Sequence, residues 1–232
     1  MNLHDLVFGA YPYLAGTVFL LGSWIRFDRE QYTWKTDSSQ LLSKKGMRLA
    51  SNLFHVGILG IFFGHLAGML LPHSWFLGLG ISDVAHQYIA IYVGGIFGIM
   101  CLAGAVMLFL RRINEPRIKA TSRNRDTVVI GWLAVTAALG LSTILVSSGH
   151  ASQGDVSEMI ALTEYVKSIA TLSVDPSLIS DVSPIFKTHI FFGMTVFLIF
   201  PFTRLVHVWS VPVTYLGRAY QIVRVKQVRM NG

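Results

Sequence analysis

Cysteine is almost absent from this 232-residue chain, which has one, Cys101. A lone thiol excludes an intramolecular disulfide, an iron–sulfur cluster ligated wholly by the chain, and covalent haem attachment through Cys-x-x-Cys-His. Cys101 lies mid-way along an apolar stretch and reads as a small buried hydrophobe. Charge is scarce too: 13% of residues are Asp, Glu, Lys or Arg against 53% hydrophobic, a balance that excludes an ordinary soluble globule. No internal repeat or low-complexity linker is present. The acidic side of the balance is the thinner one, 12 residues against 19 basic.

What is there in quantity is apolar sequence, in five blocks: roughly Leu6 to Ile25, Leu49 to Leu71, Tyr88 to Leu110, Thr127 to Val146, and Ile185 to Val208. Each is near the ~20 residues that span a hydrocarbon core. The first is too long, and too poor in preceding basic residues, for a cleaved signal peptide. These blocks predict an all-α integral membrane bundle of five transmembrane helices.

A net charge of +7 would suit nucleic acid, but its distribution does not. Six of the basic residues fall between blocks one and two, six between three and four, and five from Arg204 onward, so 17 of 19 share one face and Lys167 and Lys187 are left for the other. The positive-inside rule then puts the N-terminus outside and the C-terminus in the cytoplasm. The expected setting is the bacterial cytoplasmic (inner) membrane, with lipid around the spans and no nucleic acid. Between Ser147 and Pro184 lies the longest outer segment, with a helical pattern over Met159–Leu172. Residues 1–209 are expected to form the transmembrane domain. Residues 210–232 have too little apolar surface to fold alone and are expected to dock on a soluble partner.

Histidines carry the chemistry. No Asp, Glu, Lys or Arg interrupts Leu49 to Leu71, yet His55 and His65 lie within it, and the last block holds His189 and His207. An imidazole in lipid needs a hydrogen-bond partner or a metal. The two blocks run antiparallel, so depth pairs His55 with His207 on the inner side and His65 with His189 on the outer. Two non-covalent b-type haems, each iron between two histidines, would use all four. Packing groups or a proton relay are the other readings of such residues.

Geometry on ideal helices fits in part. The 18 residues between His189 and His207 are five turns, so both rings would leave one face. The ten residues between His55 and His65 leave those rings about 80° apart, and the rises, about 15 Å against about 27 Å, disagree. Tilt or a bend at Pro201 would have to absorb this. Gly57, Gly60, Gly64, Gly68 and Gly193 offer room for a flat macrocycle, or small-residue helix contacts. His86 begins block three at the level of His65. Arg111, Arg112 and Arg204 sit at the inner level, where they can meet haem propionates or snorkel to the interface. His4 reads as solvated, and His73 and His150 as interfacial residues beyond helix ends.

Three long strings carry a resemblance that runs nearly end to end: AYPYLAGTVFLLGSWIRFDREQYTWKTDSSQ, SNLFHVGILGIFFGHLAGMLLPH and FPFTRLVHVWSVPVTYL. With them the chain resembles the gamma-subunit family of membrane-bound respiratory nitrate reductases, a dihaem cytochrome b. The resemblance implies an electron-transfer subunit that oxidises quinol near the outer face. It also implies partner subunits on the cytoplasmic side, one with molybdenum and one with iron–sulfur clusters, which reduce nitrate. Carried onto this sequence, it implies His65 and His189 at the distal haem and His55 and His207 at the proximal haem. The family's quinol pocket, beside the distal haem, maps to His65, His86, Gly64 and Gly68. His86 stands where well-known members have lysine, and it too can donate to a quinone oxygen and take up a proton near neutral pH.

Nothing in the spans encodes nitrate chemically. Within the same class, the chain could serve another quinone-linked oxidoreductase. From a different class, it could be a haem-free anchor or a proton-relay transporter.

Overall fold

The computed structural model describes residues 2–30 and 46–210. Every regular element among them is helical. We number the helices α1 (Leu3–Arg29), α2 (Met47–Leu70), α3 (His73–Gly78), α4 (Asp83–Asn114), α5 (Pro116–Thr121), α6 (Asn124–Ser152), α7 (Ser157–Ala170) and α8 (Pro184–Ile199). α1, α2, α4, α6 and α8 with its continuation to Phe202 are long and apolar enough to cross a membrane, as the five blocks predict. Large apolar side chains such as Leu20, Leu59, Ile96, Ile99 and Leu145 point outward, as lipid-facing residues do. Of the expected 210–232 tail, all beyond Ser210 lies outside the described residues.

Helix ends follow local chemistry. The Ser82 hydroxyl accepts the Ala85 N–H at 3.3 Å and starts α4, and Asp83 opens its first turn. Pro184 starts α8, where its missing N–H is unneeded. Near the start of α1 the turn Leu6–Ala10 is π-helical, and Pro12 brings no N–H to the carbonyls below it.

Packed neighbours run in the order α2–α4–α6–α8–α1. Small residues set the closest approach. A Cβ on Gly57 would strike the Cys101 backbone, and one on Gly104 would strike the backbone of Phe54 and Ala50. Cys101, Ala50 and Ala105 are buried between the same two helices, which bears out the structural reading of the cysteine. Gly60 is likewise filled by the Phe97 ring. The expectation that Gly57 and Gly60 leave space for a macrocycle is therefore wrong: α4 takes it.

Two cores result. One, toward the arginine-rich end, gathers Phe54, Cys101, Ala105, Val129, Ile130 and Leu133. The other, at the opposite end, gathers Phe8, Leu162, Tyr165, Ile179 and Val182. Through it α7 lies across that end, packed on the Leu66–Leu70 turn of α2 and on Pro176–Ile179. The outer-segment helix is thus present, starting two residues before the expected Met159.

One expectation fails in an instructive way. The fifth block is not a continuous helix. α8 ends at Ile199, a 3-10 turn follows over Phe200–Phe202, Thr203 is extended, and a second 3-10 segment covers Arg204–Ser210. Pro201 lacks the donor the helix needs and its ring crowds the preceding turn. His189 and His207 therefore do not share one helical face, and the five-turn spacing argument and its 27 Å rise do not hold.

Candidate functional site

The four histidines meet in the pairs that depth indicates. The rings of His65 and His189 have centroids 6.3 Å apart, tilted by 46°, and those of His55 and His207 are 6.2 Å apart at 71°. A metal–imidazole bond is about 2.0 Å, and ring centre to ring nitrogen is roughly 1.1 Å, so two imidazoles across one metal have centroids about 6.2 Å apart. Both pairs stand at that separation.

Each ring is also held the same way. The Nδ1–H of His55 donates to Ser51 O at 2.7 Å, and that of His65 to Ile61 O at 2.8 Å. His189 Nδ1–H donates to Thr136 O at 3.1 Å, and His207 Nδ1–H to Arg204 O at 2.7 Å. With Nδ1 spent on a carbonyl, Nε2 is left as the acceptor nitrogen, the usual second-shell arrangement of a metal-binding histidine. Among the described residues no three His, Cys, Asp or Glu side chains converge on one point. Two opposed nitrogens suit an iron that arrives with its equatorial ligands already supplied by a macrocycle. The donor set fits haem.

His189 depends on α6 twice, which the sequence reading missed. Thr136 supplies the carbonyl, and a Cβ on Gly140 would come within 2.9 Å of His189 Cε1. Trp132, on the same helix, stacks on Phe192 and donates its Nε1–H to Phe192 O at 3.0 Å, fixing α6 against α8. The signal for Gly140 was unreadable without knowing that α6 packs on α8.

Beside the His65 pair, His86 stacks on Phe76 at 4.3 Å, and its Nε2 lies 3.4 Å from where a Cβ of Gly68 would be. Gly64 and Gly193 have open space at that position. The structure thus brings His86 and Gly68 together and leaves Gly64 free of packing. Asp83, His73 and Lys167 lie within electrostatic reach of His86, and His73 pairs with Asp83 at 3.3 Å. Lys167 comes from α7, a contribution the sequence reading did not foresee.

The remaining histidines are tied down as well. His4 is partly buried and bonded within the protein: its Nε2 donates to Pro176 O at 2.8 Å. His150 lies inside the last turn of α6, not beyond it, and pairs with Glu158 at 3.2 Å. Glu158 also accepts the Ser183 N–H at 2.7 Å, joining α6, α7 and the start of α8. The Tyr165 hydroxyl, fully buried, donates to Phe8 O at 2.8 Å, one of the carbonyls near Pro12. Burial pushes its phenol well above the ordinary value, so it stays a donor.

At the arginine-rich end, Arg112 pairs with Asp126 at 3.5 Å and donates to Ser122 Oγ at 3.2 Å. Arg111, its chain neighbour, and Arg204 lie within electrostatic reach of it.

The chain is similar to the respiratory nitrate reductase 1 and 2 gamma chains of Escherichia coli (strain K12). Each is 48% identical to it, over 97% and 96% of this chain and 98% and 97% of theirs. The nitrate reductase gamma chain of Bacillus subtilis (strain 168) is 35% identical over 95% of this chain and 97% of its own length. A family model described as the nitrate reductase gamma subunit matches residues 4–226, and the chain belongs to that family.

Proposed function

We propose that this membrane subunit oxidises quinol at the His65 and His86 end and delivers the electrons, by way of two b haems, to partner subunits that reduce nitrate. The observation that carries the reading is the pair of opposed imidazoles, twice over, each with Nδ1 bonded to a carbonyl and Nε2 left free for iron. His65 and His189 hold the outer haem and His55 and His207 the inner one. When bound, two such haems supply one-electron carriers at two depths of the membrane.

The chain's own part is to hold, orient and move protons. Ser51, Ile61, Thr136 and Arg204 fix the ligand tautomers through their carbonyls. Arg111, Arg112 and Arg204, clustered at the inner level, would offer positive charge to the propionates of a haem held there. Quinol oxidation releases two electrons and two protons. His86 takes a proton from the quinol hydroxyl, with Phe76 holding its ring and Gly64 and Gly68 keeping the approach clear. Asp83, His73 and Lys167 supply the polar path away from it.

Direction follows from charge. With 17 of 19 basic residues on the His55 and His207 side, that side is cytoplasmic, so quinol protons leave outward while electrons go inward. Charge is thereby separated across the bacterial inner membrane. The molybdenum and iron–sulfur subunits dock on the cytoplasmic loops and on residues 210–232.

Reduced-minus-oxidised absorbance of the purified complex tests the reading. Two b-type signals that quinol reduces are expected. A complex without them, or co-purification with no iron–sulfur or molybdenum subunit, overturns it.

A further inference from the structure

Below α8 the chain leaves the helix, and two successive carbonyls, those of Pro201 and Phe202, lose their helical donors. Two arginines from two other helices reach them. The Arg26 guanidinium, on α1, donates to Pro201 O, and to Thr203 O at 3.4 Å. Arg125, on α6, donates to Phe202 O at 3.2 Å. Four residues before Arg26, on the same face of α1, Gly22 lets the helix close on the turn: a Cβ there would lie 3.0 Å from Pro201 Cγ.

The bonds continue to His207. Thr203 is buried, with its Oγ1 donating to Phe200 O at 3.0 Å and accepting the Leu205 N–H at 3.3 Å. The next residue, Arg204, offers the carbonyl that receives His207 Nδ1–H. We propose that Arg26 and Arg125 are positioning residues for His207, clamping the broken end of α8 so that its imidazole faces His55. They act on His207 through the turn. A guanidinium suits such a clamp, because its Nη1 serves both carbonyls while its Nε donates to Glu30 Oε2 at 3.3 Å, a spread of donors that a point ammonium lacks. The inference rests on the dihaem reading above.

The test uses the whole complex in native membranes, with Arg26→Lys, Arg26→Gln and Arg125→Gln. Electron paramagnetic resonance of the oxidised haems and a redox titration are the readouts, with His207→Ala and His189→Ala identifying the two signals. Arg26→Gln should weaken retention of the inner haem roughly 10-fold, and Arg125→Gln somewhat less, as losses of outer-shell partners do. The outer signal should not move. Arg26→Lys keeps the charge at the membrane edge and so the protein level, yet should still shift the inner signal and its midpoint. An inner signal and midpoint identical to wild type in Arg26→Lys and in Arg125→Gln overturns the inference. Wild-type complex with no paired b-haem signals would instead overturn the dihaem reading.

Discussion

The two histidine pairs have nearly the same ring separation, and every ring bonds Nδ1 to a carbonyl, but the segments that carry the rings differ. At the His65 and His189 end, both residues sit on α-helical stretches, His65 bonded within its own helix to Ile61 O and His189 placed by Thr136 and Gly140 of α6. Across that end lies α7, with its own apolar core. At the His55 and His207 end, His207 stands on a 3-10 segment after a broken helix, and its position is set by polar bonds to carbonyls. Near the interface, guanidinium groups reach water as well as carbonyl, and a polar clamp becomes possible. The difference teaches that one ring separation can be reached with both histidines on α-helices or with one of them on a 3-10 segment tied down by hydrogen bonds.

Removing the ligands tests the contrast most severely. His65→Ala and His189→Ala should each abolish the outer b-haem signal, and His55→Ala and His207→Ala the inner one. Absorbance and paramagnetic resonance of the complex check this. Loss of one and the same signal from the His55 and His189 variants would break the pairing.

Next in size is His86→Ala. Quinol-dependent haem reduction should slow by roughly 10²-fold, the lower range for losing a general base, with both haem spectra intact. An artificial donor that reduces the partner subunits directly should still drive nitrate reduction at full rate. Unchanged quinol turnover sinks the assignment of His86, and protons appearing on the cytoplasmic side of vesicles sink the orientation.

Gly140→Val probes the packed end alone. Its side chain must displace His189, since even the first carbon would stand 2.9 Å from Cε1. The outer haem signal should fall while the inner one holds. Equal loss of both would mean that the two ends are not independently built.

The smallest effect is expected from Tyr165→Phe. It removes the donor to Phe8 O without changing shape, at a cost of about 1–2 kcal/mol. The thermal midpoint of the detergent-solubilised protein should drop modestly, with haem spectra unchanged. No change in midpoint would show that the apolar core alone holds α7.

The spans were legible because lipid permits so little: a stretch from Leu49 to Leu71 without a formal charge has few other uses. The pairing of His55 with His207, and of His65 with His189, was legible for the same reason, since antiparallel helices fix depth. What escaped was whatever depends on which helix lies beside which. Gly57 and Gly60 look like Gly64 in the sequence, yet α4 fills the first two. Gly140 gave no sign of serving a histidine on another helix. Pro201 did give its sign, but the sequence could not tell a bend from a full break ending in two 3-10 turns, because the arginines that stabilise the freed carbonyls lie far away in the chain.

α1 carries one more consequence, for the order in which the molecule is made. Its cross-chain bonds reach far ahead: His4 to Pro176, Phe8 to Tyr165, Tyr11 to Thr195, Tyr13 to Val174, and Arg26 to the turn at Pro201. Its packed neighbour is α8, the last span. During synthesis, α4, α6 and α8 can each join a neighbour already in the bilayer, whereas α1 is inserted first and finds its partner last. Closure of the bundle is thus a late event, made at the largest sequence separation between packed spans. Until α8 emerges, α1 lacks the span it packs on in the finished bundle, and a chain stalled before Pro184 leaves it so.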